Sequence, residues 1–103
     1  MKYRVEISPH ALHEIEEAYL WIREASPTRA YEWFNGLIEA IDSLEEAPMR
    51  CALAQENAAF PFEIRQMLYG KRGGIYRVLF RVVGGEVRIL HVRHASREPL
   101  SSD

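Results

Sequence analysis

GGIYRVLFRVVGGEVRILHVRHASRE, residues 73–98, contains two runs of period-two alternation joined by Gly84-Gly85, and the rest of the architecture follows from how those runs pair. Alternation sends successive side chains to opposite faces of a strand, and two glycines make the short connection that tight hairpins favour. The stretch therefore predicts a long strand from Ile75 to Val83 and a partner from Glu86 to His94. It also carries five arginines and two histidines, in a chain whose formal net charge is −2. On the long strand, Tyr76, Val78, Phe80 and Val82 share one face, bulky enough to meet helices. Arg77, Leu79, Arg81 and Val83 share the other. On the last strand Arg88, Leu90, Val92 and His94 oppose Val87, Ile89, His91 and Arg93; both sets are amphipathic, so the pattern does not orient it.

Upstream of this hairpin, residues 49–63 (MRCALAQENAAFPFE) have no steady period and read as an irregular connection with room for a helical turn. A short strand around Ile64–Leu68 and a loop at Tyr69–Gly74 follow. Nearer the N-terminus, Ser8-Pro9 and Ser26-Pro27 each place a capping hydroxyl before a proline suited to the first helical position. Leu12, Ile15, Tyr19 and Ile22 recur at helical spacing after the first. Ala30, Phe34, Leu37, Ile41 and Leu44 do so after the second, which Pro48 closes. So short a link folds the helices into an antiparallel hairpin. Lys2–Ser8 alternates as a first strand. The prediction is an α+β fold of order β-α-α-β-β-β, one domain over residues 1–98 with a short tail at 99–103.

At 103 residues the chain is long enough to withdraw roughly 65% of its unfolded surface from water. The lone Cys51 forms no internal disulfide and points to a reducing compartment, the cytoplasm. Residues 1–30 have no signal-peptide apolar run, and nothing approaches the roughly 18 apolar residues of a membrane span. Charge is unevenly spread: residues 1–63 sum to −7 and residues 64–103 to +5. A basic module joined to an acidic one marks an anionic partner, either nucleic acid or an acidic protein. Arg77 and Arg81 fit that role, standing two pairs apart on the face away from the helices, where guanidinium forks suit phosphate or carboxylate. The ordinary alternative is a solvated sheet face kept soluble by arginine. Leu79 and Val83, alternating with the arginines, favour a binding surface instead.

No metal or cofactor is expected. His10 and His13 lie three apart on a helix with no third ligand, and His91 and His94, three apart on a strand, face opposite ways. The Gly70–Gly74 loop lacks the full phosphate-loop signature of glycines, lysine and hydroxyl and reads as a flexible connector.

With these elements in order, AYEWFNGLIEAIDSLEEAPMR (residues 30–50) and EIRQMLYGKRGGIYRVLFRVVGGEVRILHVRHASRE (residues 63–98) resemble the RelE/ParE superfamily, the toxins of type II toxin-antitoxin pairs. The resemblance runs from Lys2 to Glu98. It implies a helical hairpin on one face of a curved, largely antiparallel sheet, and an antitoxin that is acidic where it wraps the toxin, in a higher-order complex. It also implies growth inhibition by free toxin and a part in plasmid stabilization. For the target it offers two classes. RelE-type members cleave mRNA on the ribosome without a metal, which would make Arg77, His94 and Arg97 catalytic, with phosphate contacts from Arg65 and Arg81. Against that pattern, the lysine-rich middle is reduced to Lys71 and no tyrosine follows Arg97. ParE-type members block DNA gyrase and need only a binding surface; the long helices favour this side. A non-toxic relative that still binds an antitoxin is a third class. The docking residues expected for antitoxin or target are Arg65, Lys71, Arg72, Arg77, Leu79 and Arg81.

Overall fold

The computed structural model describes residues 2–71 and 73–100; the expected contact residue Arg72 lies outside them. The elements run β1 (Arg4–Ile7), α1 (Pro9–Ala25), α2 (Pro27–Asp42), β2 (Arg65–Tyr69), β3 (Tyr76–Val83) and β4 (Glu86–His94). Three 3₁₀ turns at Ser43–Glu45, Pro48–Arg50 and Gln55–Ala59 lie between α2 and β2. The predicted α+β order holds, with two helices packed on a four-stranded sheet of order β1-β4-β3-β2. β1 pairs parallel with β4, and the other neighbours are antiparallel.

Both serine-proline pairs start helices as expected. Ser8 Oγ accepts the Ala11 N–H at 3.1 Å, and Ser26 Oγ accepts the Arg29 N–H at 3.2 Å. Ser26 also ends α1, its own N–H donating to the Ile22 carbonyl, so one residue closes the first helix and opens the second. α2 stops at Asp42, earlier than Pro48, because the chain tightens into the 3₁₀ turn Ser43–Glu45.

The main core lies between the helices and the sheet. Ala11 and Ile15 of α1 and Leu37 and Ile41 of α2 meet Val78 and Phe80 of β3 and Val87 and Ile89 of β4. Phe80 is wholly buried, a burial that contributes about 1.5–3 kcal/mol. The helix-facing set on β3 is the predicted one, Tyr76, Val78, Phe80 and Val82. The last strand resisted orientation because it changes phase. Phe80 pairs with Ile89 and Leu79 with His91, which leaves Leu90 as the extra residue of a β-bulge. Val87 and Ile89 before the bulge and Val92 after it thus reach the same core, which no constant period of two allows.

The helical stripes are wider than the core. Leu12 and Phe34, expected inside, are exposed. The face of the sheet away from the helices is not open either. Residues 52–64 fold over it, placing Ala54 and Ile64 on Leu79, with Phe60, Phe62 and Leu100 around them.

Candidate functional site

Arg77 shows most clearly what this second cover does. Instead of standing on an exposed face, it is 2% exposed. Its guanidinium makes a bidentate pair with the Glu56 carboxylate, through Nη1 at 3.0 Å and through Nη2, while Nε and Nη2 also donate to Gln66 Oε1 at 3.1 and 3.0 Å. Burial, the largest influence, pulls the Glu56 carboxyl upward, but the bonds from Arg77 and from the Leu100 N–H outweigh it and hold the group below the usual carboxylate range. An unpaired charge at this depth would cost several kcal/mol, so the pair is what allows a charged residue to lie under a cover. Four of the five Arg77 N–H donors are thus committed to Glu56 and Gln66, and the residue is shut off from any phosphate or antitoxin carboxylate outside. Glu56 was missed in the sequence because its partner is 21 positions away and its own segment has no period. The available signal was a single acid in the apolar run 52–62, on the N-terminal side of a strand arginine.

The other expected contact residues are dispersed. Leu79 is buried under Ala54 and Ile64. Arg81 is half-buried, its guanidinium 3.9 Å from the centre of the Phe62 ring, a cation–π contact that holds the covering segment. Arg65 clamps the same segment, with Nη1 2.7 Å from the Cys51 carbonyl and Nη2 3.3 Å from Glu63. Lys71 is exposed beside Trp21, Trp33 and Arg29, across the sheet from Arg77.

His94 and Arg97 do come together, on a groove of about 580 Å³ between α1 and the C-terminal half of β4. His94 packs edge-on against Tyr76, with ring centres 5.2 Å apart, and its Nδ1 is 2.7 Å from Ser96 Oγ. Trp21 borders this groove, and burial pushes the Tyr76 hydroxyl pKa upward. Arg77 is not among its lining residues. The three groups that mRNA cleavage would need are thus divided between a solvent-facing groove and a buried ion pair.

Large exposed apolar side chains concentrate on the helical hairpin. Leu12 is 52% exposed, Trp21 69% and Tyr31 64%, with Leu20 and Phe34 beside them. Leu12, Ile15, Tyr19, Tyr31 and Phe34 line one groove between α1 and α2, in which Tyr19 and Phe34 meet edge-on at 6.0 Å. A contiguous apolar patch on a small chain is the usual mark of a protein-binding surface. Sequence reasoning placed Leu12, Ile15, Tyr19 and Phe34 on the helical stripes and passed over Leu20 and Tyr31, because periodicity identifies an apolar stripe without saying how much of it the sheet covers.

The family model described as the ParE toxin of the type II toxin-antitoxin system parDE matches residues 5–99. The chain belongs to the ParE toxin family. Among solved structures, the chromosomal ParDE TA system from P. aeruginosa matches with a TM-score of 0.70, at 17% identity, over 90% of this chain and 96% of that one. At that identity the likeness concerns the fold, and it agrees with a ParE toxin of two helices on a four-stranded mixed sheet. A comparison with curated protein sequences finds no significant match. In a ParE toxin of this shape, the exposed features include the apolar hairpin groove, the groove holding His94 and Arg97, and the one beside Lys71. No helix among the described residues is long and apolar enough to cross a membrane.

Proposed function

We propose that this ParE-family chain inhibits growth in the cytoplasm by binding DNA gyrase, and that a cognate antitoxin neutralises it by laying an amphipathic segment into the groove between α1 and α2. The locked state of Arg77 carries the first half of the reading. Cleavage of a ribose-phosphate backbone needs groups that stabilise a dianionic phosphorane, and the strand arginine best suited to that task is committed to Glu56 and Gln66. A toxin that acts by occupancy requires only a surface. The exposed residues Leu12, Tyr31 and Phe34 suit the apolar face of a helix, which reads such a groove at three- and four-residue steps. Lys71 and Arg97 remain exposed for an acidic partner.

Purified chain added to gyrase is expected to block supercoiling of plasmid DNA and to leave ribosome-bound mRNA intact. Cleavage of mRNA in a purified translation system, with supercoiling unaffected, would replace this reading with the ribonuclease one, to which the shared groove of His94 and Arg97 gives its only support. Unimpaired growth of cells expressing soluble, folded chain without antitoxin would mark a relative that has lost toxicity.

A further inference from the structure

The two histidine pairs of the sequence are recombined in the fold. His10 and Glu14 lie one turn apart on α1, and β4 brings His91 against both. His10 Nε2 is 3.5 Å from Glu14 Oε2, and His91 Nδ1 is 3.4 Å from Glu14 Oε1. The imidazole rings meet nearly at right angles with centres 4.8 Å apart, so they converge rather than stack. One nitrogen from each histidine and one oxygen of the carboxylate all lie within 4.8 Å of one another. Two ligands at tetrahedral positions around one zinc ion stand about 3.4 Å apart, given metal–ligand bonds of about 2.0–2.1 Å. Each histidine nitrogen already stands at about that separation from one carboxylate oxygen, His10 from Oε2 and His91 from Oε1, so a bidentate carboxylate would face both.

Two more observations point to a ligand here. His91 Nδ1 is shut off from solvent and has no hydrogen-bond partner, since its approach to Glu14 lies outside hydrogen-bond geometry. Glu14 Oε1 accepts the Val92 N–H at 2.9 Å, which fixes the carboxylate from behind as outer partners of metal ligands do. Although burial pulls the Glu14 pKa up, the contacts with His91 and the Val92 N–H outweigh it, so the group is an anion at neutral pH.

We propose that His10, Glu14 and His91 form a site for a divalent transition-metal ion, with zinc as its first choice. Two imidazoles and one carboxylate suit zinc, nickel or cobalt, whereas magnesium and calcium prefer all-oxygen shells. Three protein ligands leave a fourth position for water. The ion would pin α1 to the part of β4 beyond Ile89, where pairing with β1 has ended. His10 and Glu14 also border the groove that holds His94 and Arg97.

The test is calorimetric titration of the metal-free full chain with zinc chloride, alongside thermal unfolding with and without zinc. One ion per chain is expected, with a raised Tm. His10→Ala and His91→Ala should each weaken binding by about tenfold or more, at least the loss seen when an outer partner of a metal ligand is removed. His13→Ala, which removes the neighbouring histidine paired with Glu17, should bind as the parent does. Magnesium should give no heat. Because His10 is exposed, His10→Ala is expected to stay folded and keeps the test decisive if His91→Ala unfolds. No zinc binding, equal binding by His10→Ala and the parent, or loss of binding in His13→Ala would each overturn the proposal.

Discussion

One face of the sheet lies under two helices of 17 and 16 residues, and the other under a segment with no helix longer than a five-residue 3₁₀ turn. The helical side is held by apolar area, with Ile15, Leu37, Ile41, Phe80 and Ile89 all buried. Among the described residues, the opposite side has a buried apolar cluster of just Ala54, Ile64 and Leu79, and it encloses the Glu56–Arg77 pair. Apolar contact is non-directional and tolerates small shifts. A bidentate ion pair is directional, so it fixes where an irregular segment sits when little else specifies it. The same device makes that side the more fragile, because losing either partner strands a charge.

The largest expected effect tests this fragility. Arg77→Ala should cost about 3–5 kcal/mol in chemical denaturation. That equals the loss expected for Phe80→Ala in the apolar core, also about 3–5 kcal/mol. Glu56→Leu combined with Arg77→Met should restore most of the stability, since a buried pair replaced by well-packed apolar groups is often neutral or better. A harmless Arg77→Ala would erase the contrast between the two covers.

Acid should separate the faces next. The Glu56 pKa is lower in the folded chain than in the unfolded one, so its stabilising contribution is complete above the ordinary carboxyl pKa of about 4.3 and is lost as pH falls through the folded value. Denaturation midpoints followed downward from neutral pH should therefore fall more steeply for the parent than for the Glu56→Leu/Arg77→Met variant. Parallel curves would remove Glu56 from the acid response.

The functional side of the comparison sits on the helices. Tyr31→Asp should change stability by about 0.5 kcal/mol at most, as expected for a groove residue that is 64% exposed. It should weaken antitoxin binding by more than tenfold, about 1.4 kcal/mol, measured by calorimetry with the purified antitoxin. Unchanged affinity would move the antitoxin off this groove. The smallest effect concerns a link between helix and sheet edge, where the Tyr69 hydroxyl donates to the Trp33 carbonyl at 2.8 Å. Tyr69→Phe should cost about 1 kcal/mol, the ordinary net value of such a bond.

What the sequence made legible was everything fixed by local chemistry. The Ser8-Pro9 and Ser26-Pro27 starts, the Gly84-Gly85 turn and the helix-facing set on β3 depend on residues within a few positions of one another. The cover over Leu79 did not show because residues 52–64 are held by partners on β2 and β3 rather than by a repeat of their own. The phase of β4 was hidden by one bulged residue, Leu90, which gives both alternating sets a claim to the core. At the candidate site, His94 and Arg97 were named from the family resemblance, and they lie only three positions apart in the chain. Glu56, 21 residues from Arg77, and Glu14, 77 from His91, are brought to their partners by topology alone.

Ser26, shared by the end of α1 and the start of α2, has one more consequence. A hinge of a single capped residue allows the two rods little independent swing, so the cleft between Leu12 and Phe34 is shaped before any visitor arrives. The entropic toll of docking then falls almost entirely on the incoming segment, so one already coiled before it lands would hold more tightly than one that must stiffen on arrival.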